Sequence, residues 1–146
     1  MESVIRLKVR YAETDQMGVV HHSVYAVYLE AARVEFLEAI GLPYAQVEAR
    51  GVYFPVVELG LTFRAPARFG DVLEVRARLS GLSPRDLRFA YRVEREGALL
   101  AEGFTRHLCQ VGSRAARIPE DLYRLLSKVY SGPPFGYSPA YPLTRQ

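Results

Sequence analysis

The chain has 146 residues and a mass of 16.5 kDa, 49% of it apolar and 24% charged. That balance belongs to one globular domain, able to bury about 68–70% of its unfolded surface without a disulfide or a structural metal. Nineteen Lys+Arg against sixteen Asp+Glu leave a net charge of +3, too small an excess to indicate a nucleic-acid partner. The lone Cys109 cannot close an internal bridge, and no C-x-x-C or H-E-x-x-H stretch points to a metal module. No apolar run approaches the ~20 residues of a membrane helix, and the start, MESVIRLKVR, alternates where a signal peptide would be continuously apolar. A cytoplasmic, reducing setting without membrane insertion is expected.

In chain order, residues 4–10 alternate apolar and basic side chains as a half-buried strand does. After a loop, Ser23 is placed to cap a long helix whose apolar positions Val27, Tyr28, Ala31, Val34, Leu37 and Ile40 recur at three- and four-residue spacing, with Gly41 stopping it. Pro43 to Gly51 fits a short second helix. The period then changes to two. Residues 53–64 read as a strand, as do 71–79, with Leu73, Val75, Ala77 and Leu79 inward, and 86–95, with Leu87, Phe89, Tyr91 and Val93 inward. Gly97 marks a turn, and 99–111 is apolar on both faces, which predicts a central strand. A second amphipathic helix is predicted over 119–130, opening at Pro119, before an irregular Pro-rich tail in which Phe135, Tyr137 and Tyr141 are candidates for packing.

Short connections favour antiparallel neighbours. The expected fold is therefore α+β, an antiparallel sheet of about five strands wrapped around one long helix that lies between the first and second strands. Residues 1–118 form the domain, and 119–146 a C-terminal helix and tail. Between Arg64 and Arg95 eight arginines face four acids; the stretch reads as the solvated face of strands or as a site for an anionic ligand.

The loop from Tyr11 to Ser23 gathers ionisable groups beside the unpaired N–H groups of a helix start. Asp15 fits an Asx-turn there. Gly18 suits a turn or the close approach of a ligand. The side chains of adjacent His21 and His22 are expected to diverge, which disfavours a two-histidine metal site, and Tyr11 fits a strand-end tyrosine packed on the helix.

The pattern Tyr-x-Glu-Thr-Asp-x-x-Gly-Val-Val-x-His-x-x-Tyr from Tyr11 to Tyr25, followed by Tyr28-Leu29-Glu30 and Arg33, resembles the signature of hotdog-fold acyl-CoA thioesterases. It is nearest the 4-hydroxybenzoyl-CoA thioesterase-like and Tol-Pal-associated group, and Phe63-Arg64-Ala65-Pro66-Ala67-Arg68-Phe69-Gly70-Asp71 is a second match. The resemblance spans about residues 4–118. It implies hydrolysis of a short-chain or aromatic acyl-CoA with no metal or redox cofactor. Asp15 would be nucleophile or general base, the His22 backbone N–H would serve the thioester oxygen, and Tyr11 would be a third member. Gly18, Val20 and Ser23 would lie on the substrate side. The relatives' basic loop falls on Ser83-Pro84-Arg85, making Arg85, and secondarily Arg88, candidates for the coenzyme A phosphates. Glu30 and Arg33 read as a structural pair, while Tyr28 and Phe54 are candidates to line the acyl pocket. Gln16-Met17 and His21 depart from the family pattern, which usually has small residues or proline before Gly18 and an aromatic at 21. Other readings are an acyl-carrier-protein thioesterase and a non-catalytic acyl-CoA-binding module. Relatives pair at exposed sheet edges, so a homodimer, or a homotetramer as a dimer of dimers, is implied.

Overall fold

The structure, a computed structural model, describes residues 1–132; Phe135, Tyr137 and Tyr141 lie outside them. The elements in order are β1 (Ser3–Lys8), a 3-10 turn (Tyr11–Glu13), α1 (Val24–Ala39), α2 (Tyr44–Ala49), β2 (Val52–Tyr53) and β3 (Val56–Phe63). They continue as β4 (Val72–Leu82), β5 (Asp86–Arg95), β6 (Ala98–Leu108), β7 (Gln110–Val111), β8 (Arg114–Ala115) and α3 (Glu120–Val129). Five strands form one antiparallel sheet in the order β1-β4-β5-β6-β3, with a small sheet β2-β7-β8 beside it. The expected α+β architecture is thus present, with α1 between the first and second strands.

The core lies between α1 and the sheet. Leu73, Val75, Ala77 and Leu79 of β4 and Leu87, Phe89, Tyr91 and Val93 of β5 all point into it, as their period-two spacing requires. Leu29 and Phe36 of α1 meet them, Phe36 edge-on to Phe89 at 5.3 Å between ring centroids. On the amphipathic α3, Leu122 and Leu126 join the same core.

Several expectations are corrected. Tyr25, Tyr28, Leu29, Ala32, Arg33, Phe36 and Leu37 form the buried face of α1, whereas Val27 and Ala31 are exposed. The helix carries apolar residues on nearly every side, so spacing alone selected a stripe rotated from the true one. The expected strand 53–64 divides at Phe54-Pro55 into β2 and β3, and β3 is an edge strand exposed along most of its length. The strand predicted over 99–111 divides into β6 and β7. Within the sheet β6 is interior, but β5 is the middle strand. A bulge where Val93 faces Ala101 and Glu94 faces Leu99 leaves both Leu100 and Ala101 buried. Close approach explains one glycine here: a Cβ on Gly103 would collide with the Gly60 carbonyl oxygen of β3.

A polar chain crosses this core. The Phe54 carbonyl lies 2.9 Å from His107 Nδ1 and can only accept, so Nδ1 carries the proton and Nε2 accepts from Thr105 Oγ1 at 2.8 Å. Tyr91 then donates to Thr105 at 2.7 Å, and Arg33 donates to Tyr91 at 3.1 Å. Every link has one direction. Burial, reinforced by the positive Arg33, pushes His107 down to about 4 and keeps it neutral. Glu30 reaches Arg33 only at 3.9 Å and is mostly exposed, so the pairing read from the sequence is loose.

Candidate active site

The loop between β1 and α1 is a tight hairpin. The Asp15 N–H donates to the Val19 carbonyl at 2.9 Å, the His21 N–H donates to the Glu13 carbonyl at 2.9 Å, and Thr14 bridges Val20. Gly18, at φ +79, makes the turn with open space around the missing Cβ. The buried Val20 donates its N–H to the Ala67 carbonyl at 2.8 Å and Val19 bridges Arg68, which fastens the hairpin to the connection between β3 and β4.

Asp15 sits exposed on this hairpin. Its Oδ1 accepts the Met17 N–H at 2.8 Å and the Val19 N–H at 3.4 Å, the geometry of an Asx-turn. Among the described residues its Oδ2 has no partner. One oxygen therefore fixes the carboxylate while the other remains available for chemistry.

At the start of α1 the expected cap is corrected. Ser23 already has helical angles, φ −66 and ψ −22, and its hydroxyl makes no cap bond, because side-chain capping needs an extended residue. His21 takes the role instead. Its carbonyl accepts the Val24 N–H at 3.0 Å and its Nδ1 accepts the Ser23 N–H at 3.2 Å, while the His22 carbonyl accepts from Tyr25 at 3.2 Å. Among the described residues the His22 N–H is left without an acceptor. The peptide is trans, so with the His21 carbonyl turned into the helix the His22 N–H points out of it. An outward donor at the positive end of a helix is suited to a developing oxyanion. The His21 and His22 rings do not diverge as expected; they lie 4.2 Å apart, tilted by 31°.

Glu13, which sequence reasoning left without a role, pins the hairpin. Its Oε1 accepts the Tyr28 hydroxyl at 2.8 Å and the Arg10 N–H at 2.9 Å, and its Oε2 accepts Arg10 Nε at 3.0 Å. Burial pushes the Glu13 carboxyl up, but the Arg10 N–H, the Tyr28 hydroxyl and the Arg10 guanidinium outweigh it and hold the group below its ordinary value. The signal was present as the three-residue spacing of Arg10 and Glu13, the spacing of a capping box.

Tyr11 is exposed on the rim, its ring edge-on to the exposed Phe69 at 5.5 Å. Tyr28 and Phe54 are buried, so neither lines an open pocket. Arg85 lies in the β4–β5 turn, where the Ser83 hydroxyl accepts its N–H at 3.3 Å. The Asp15 hairpin is fastened near the other end of β4, so the eleven residues of that strand separate the two groups by about 30 Å. Arg88 is also at the far end, its stem beside Gly81. Within one chain, then, Asp15, Gly18, His22 and Ser23 lie on the single connection between β1 and α1, and Arg85 and Arg88 lie at the far end of β4. Other arginines of the basic stretch are engaged by acids: Arg64 by Glu102, Arg76 and Arg92 by Glu94, and Arg95 by Asp71.

The profile of the thioesterase-like superfamily matches residues 9–126. A crystal structure of a hypothetical protein from Thermus thermophilus is 81% identical, with a TM-score of 0.87 over 88% of this chain and 99% of that one. The acyl-CoA thioester hydrolase YbgC of Escherichia coli is 33% identical over 70% of this chain and 78% of its own. The chloroplastic acyl-acyl carrier protein thioesterase ATL3 of Arabidopsis thaliana is 38% identical over 81% of this chain and 64% of its own.

Proposed function

Because the chain belongs to the thioesterase-like superfamily and is a hotdog-fold thioester hydrolase, we propose that it cleaves acyl-CoA to the free acid and coenzyme A at the hairpin between β1 and α1. The observation that carries this reading is the Asp15 carboxylate, with Oδ1 fixed and Oδ2 unpartnered among the described residues, on the same loop as the outward His22 N–H. Asp15 attacks the thioester carbonyl to give a mixed anhydride that water then hydrolyses, or takes a proton from a water that attacks directly; in either route the His22 N–H receives the oxygen on which negative charge develops, the C–S bond breaks, and the coenzyme A thiolate leaves and takes up a proton from water. Tyr11 and Phe69 form an aromatic rim beside the acyl group. Close packing of Leu29, Phe36, Leu73 and Phe89 between helix and sheet leaves the core to side chains, which favours a short or aromatic acyl group over a long one.

The working unit in this proposal is a dimer, or a dimer of dimers, paired through β3. Val56, Val57, Leu59 and Phe63 expose 44–48% of their surface on this edge strand, whose one partner among the described strands is β6, and a free apolar edge is a template for pairing. Antiparallel β3–β3 pairing about a two-fold axis reverses the partner's sheet. It brings Arg85 of the partner subunit to the end of the molecule that holds Asp15, where it serves the coenzyme A phosphates. Among the described residues no helix is long and apolar enough to cross a membrane. The buried, unpaired Cys109 supports a cytoplasmic setting.

The test is release of free thiol from a panel of short-chain, long-chain and aromatic CoA thioesters, with the same acyl groups on carrier protein as a parallel arm. Turnover of short or aromatic CoA thioesters is expected. Faster turnover of the carrier-protein forms would move the substrate class to the second reading, which the Arabidopsis relative favours, and binding without thiol release would refute hydrolysis.

A further inference from the structure

His21 uses three of its four polar groups on structure: its N–H, its carbonyl and Nδ1. Its N–H donates to the Glu13 carbonyl at 2.9 Å and its carbonyl accepts the Val24 N–H at 3.0 Å. Its Nδ1 lies 3.2 Å from the Ser23 N and 2.8 Å from Ser23 Oγ. A backbone N–H can only donate, so Nδ1 is the acceptor in this arrangement. The Ser23 hydroxyl, 2.8 Å away, donates to the same nitrogen. The His21 carbonyl and the His22 N–H belong to one planar peptide unit. Whatever fixes the carbonyl therefore fixes the direction of that N–H.

We propose that His21 is a positioning residue for the thioesterase reaction: by accepting from Ser23 through Nδ1 it holds the first turn of α1 in the one arrangement that leaves the His22 N–H unpaired and aimed outward. The inference rests on the reading of Asp15 and His22 given above. Without this acceptor the exposed Ser23 N–H turns to water, and the His21–His22 peptide loses one of its restraints, keeping only the backbone bonds to Glu13 and Val24. An oxyanion donor displaced by a fraction of an ångström loses effect in the transition state while ground-state binding is little changed.

The test compares H21F, H21N and H21Q by kcat and KM on the best CoA thioester, with melting temperatures, and D15N in parallel. Asn places an acceptor oxygen the same number of bonds from Cα as His Nδ1; Gln places it one bond further out; Phe keeps a ring and removes the acceptor. H21F and H21Q are expected to lose about tenfold or more in kcat with KM within about twofold, and H21N to regain most of the loss. Parent kcat in H21F, or equal losses in H21N and H21Q, would overturn the proposal. Should H21F not fold, the Asn and Gln variants decide it alone. Parent turnover in D15N would instead overturn the site reading, and this inference with it. A D15N variant without activity beside an unimpaired H21F would sink this inference only.

Discussion

Replacing Asp15 by Asn separates the two roles of one carboxylate. Asn keeps an oxygen where Oδ1 stands, so the bonds from Met17 at 2.8 Å and Val19 at 3.4 Å survive, and an amide nitrogen that neither attacks a carbonyl nor readily takes a proton replaces Oδ2. The hairpin should therefore keep its stability while kcat falls at least about a hundredfold, the low end of general-base effects and equivalent to about 2.7 kcal/mol of transition-state stabilisation. Asp15→Ala removes both bonds as well. At about 0.5–1.5 kcal/mol for an ordinary hydrogen bond, less where water competes as on this exposed loop, the Ala variant should melt only a few degrees lower. Thiol release measures kcat, calorimetric melting measures the fold, and titration of the slow variants with acyl-CoA measures binding, expected within about threefold of the parent. The Ala variant also guards against deamidation of Asn back to Asp. Parent turnover in both variants would refute the assignment, as would loss of activity in D15N matched by an equal loss of folded protein.

Three further outcomes follow from the same contacts. The Glu13 carboxyl is held below its ordinary value in the fold, so its contribution is complete above about pH 4.5 and is lost as pH falls through the folded value; E13Q should be less stable than the parent at pH 7, and denaturant midpoints should show the gap closing in acid. His107 is pushed down to about 4 while the unfolded chain binds its proton near 6.5, so stability should fall between about pH 6.5 and 4; about 2 kcal/mol should go between pH 7 and 5, and the fall should be smaller in H107F, as urea titrations at the two pH values would show. Placing carboxylates on the free edge with V57D and L59D together should shift the mass measured by light scattering from dimer or larger to monomer, and a monomeric parent that retains activity would refute pairing through β3.

The parts of the fold legible in the sequence were those where one face meets the core and the other does not. β4 and β5 met that condition, and their inward sets were read without error. α1 did not, since Val27 and Ala31 are apolar and exposed whereas Arg33 is charged and buried. Apolarity therefore pointed to the wrong stripe, and no hydropathy pattern predicts an arginine inside a core. β3 misled for a related reason: its apolar residues lie on a free edge. At the site, the Asx-turn of Asp15, the turn at Gly18 and a helix starting near Ser23 were legible from residue types in order, whereas a catalytic role for Asp15 came only from the family resemblance. Glu13 and His21 were missed because their work is done through hydrogen bonds that depend on the hairpin register, as in the bond from the His21 N–H to the Glu13 carbonyl. The Asx-turn and catalytic readings of Asp15, which compete at the level of sequence, are compatible once its two oxygens have different surroundings.

The length of β4 turns the role of Arg85 into a question of which chain supplies it. About 30 Å of strand lies between Arg85 and the hairpin end of one protomer, so an effect of Arg85→Ala on KM implies that Arg85 of the partner subunit serves the Asp15 site. Hybrid dimers decide this. In a dimer of one D15N and one R85A chain, sharing across the interface makes one site wholly intact, with Asp15 from the second chain and Arg85 from the first, and the other doubly defective. If both groups came from the same chain, the hybrid would contain one inactive site and one with weakened binding. Refolding the two variants together in equal amounts should produce hybrids as half of the dimers, hence parent KM at about a quarter of all sites. R85A alone should show raised KM, little change in kcat and a weaker salt dependence than the parent. Recovery of parent KM in the mixture is the expected result. A mixture whose KM stays that of R85A would remove Arg85 of the partner subunit from the site, and an unchanged KM in R85A alone would remove Arg85 altogether.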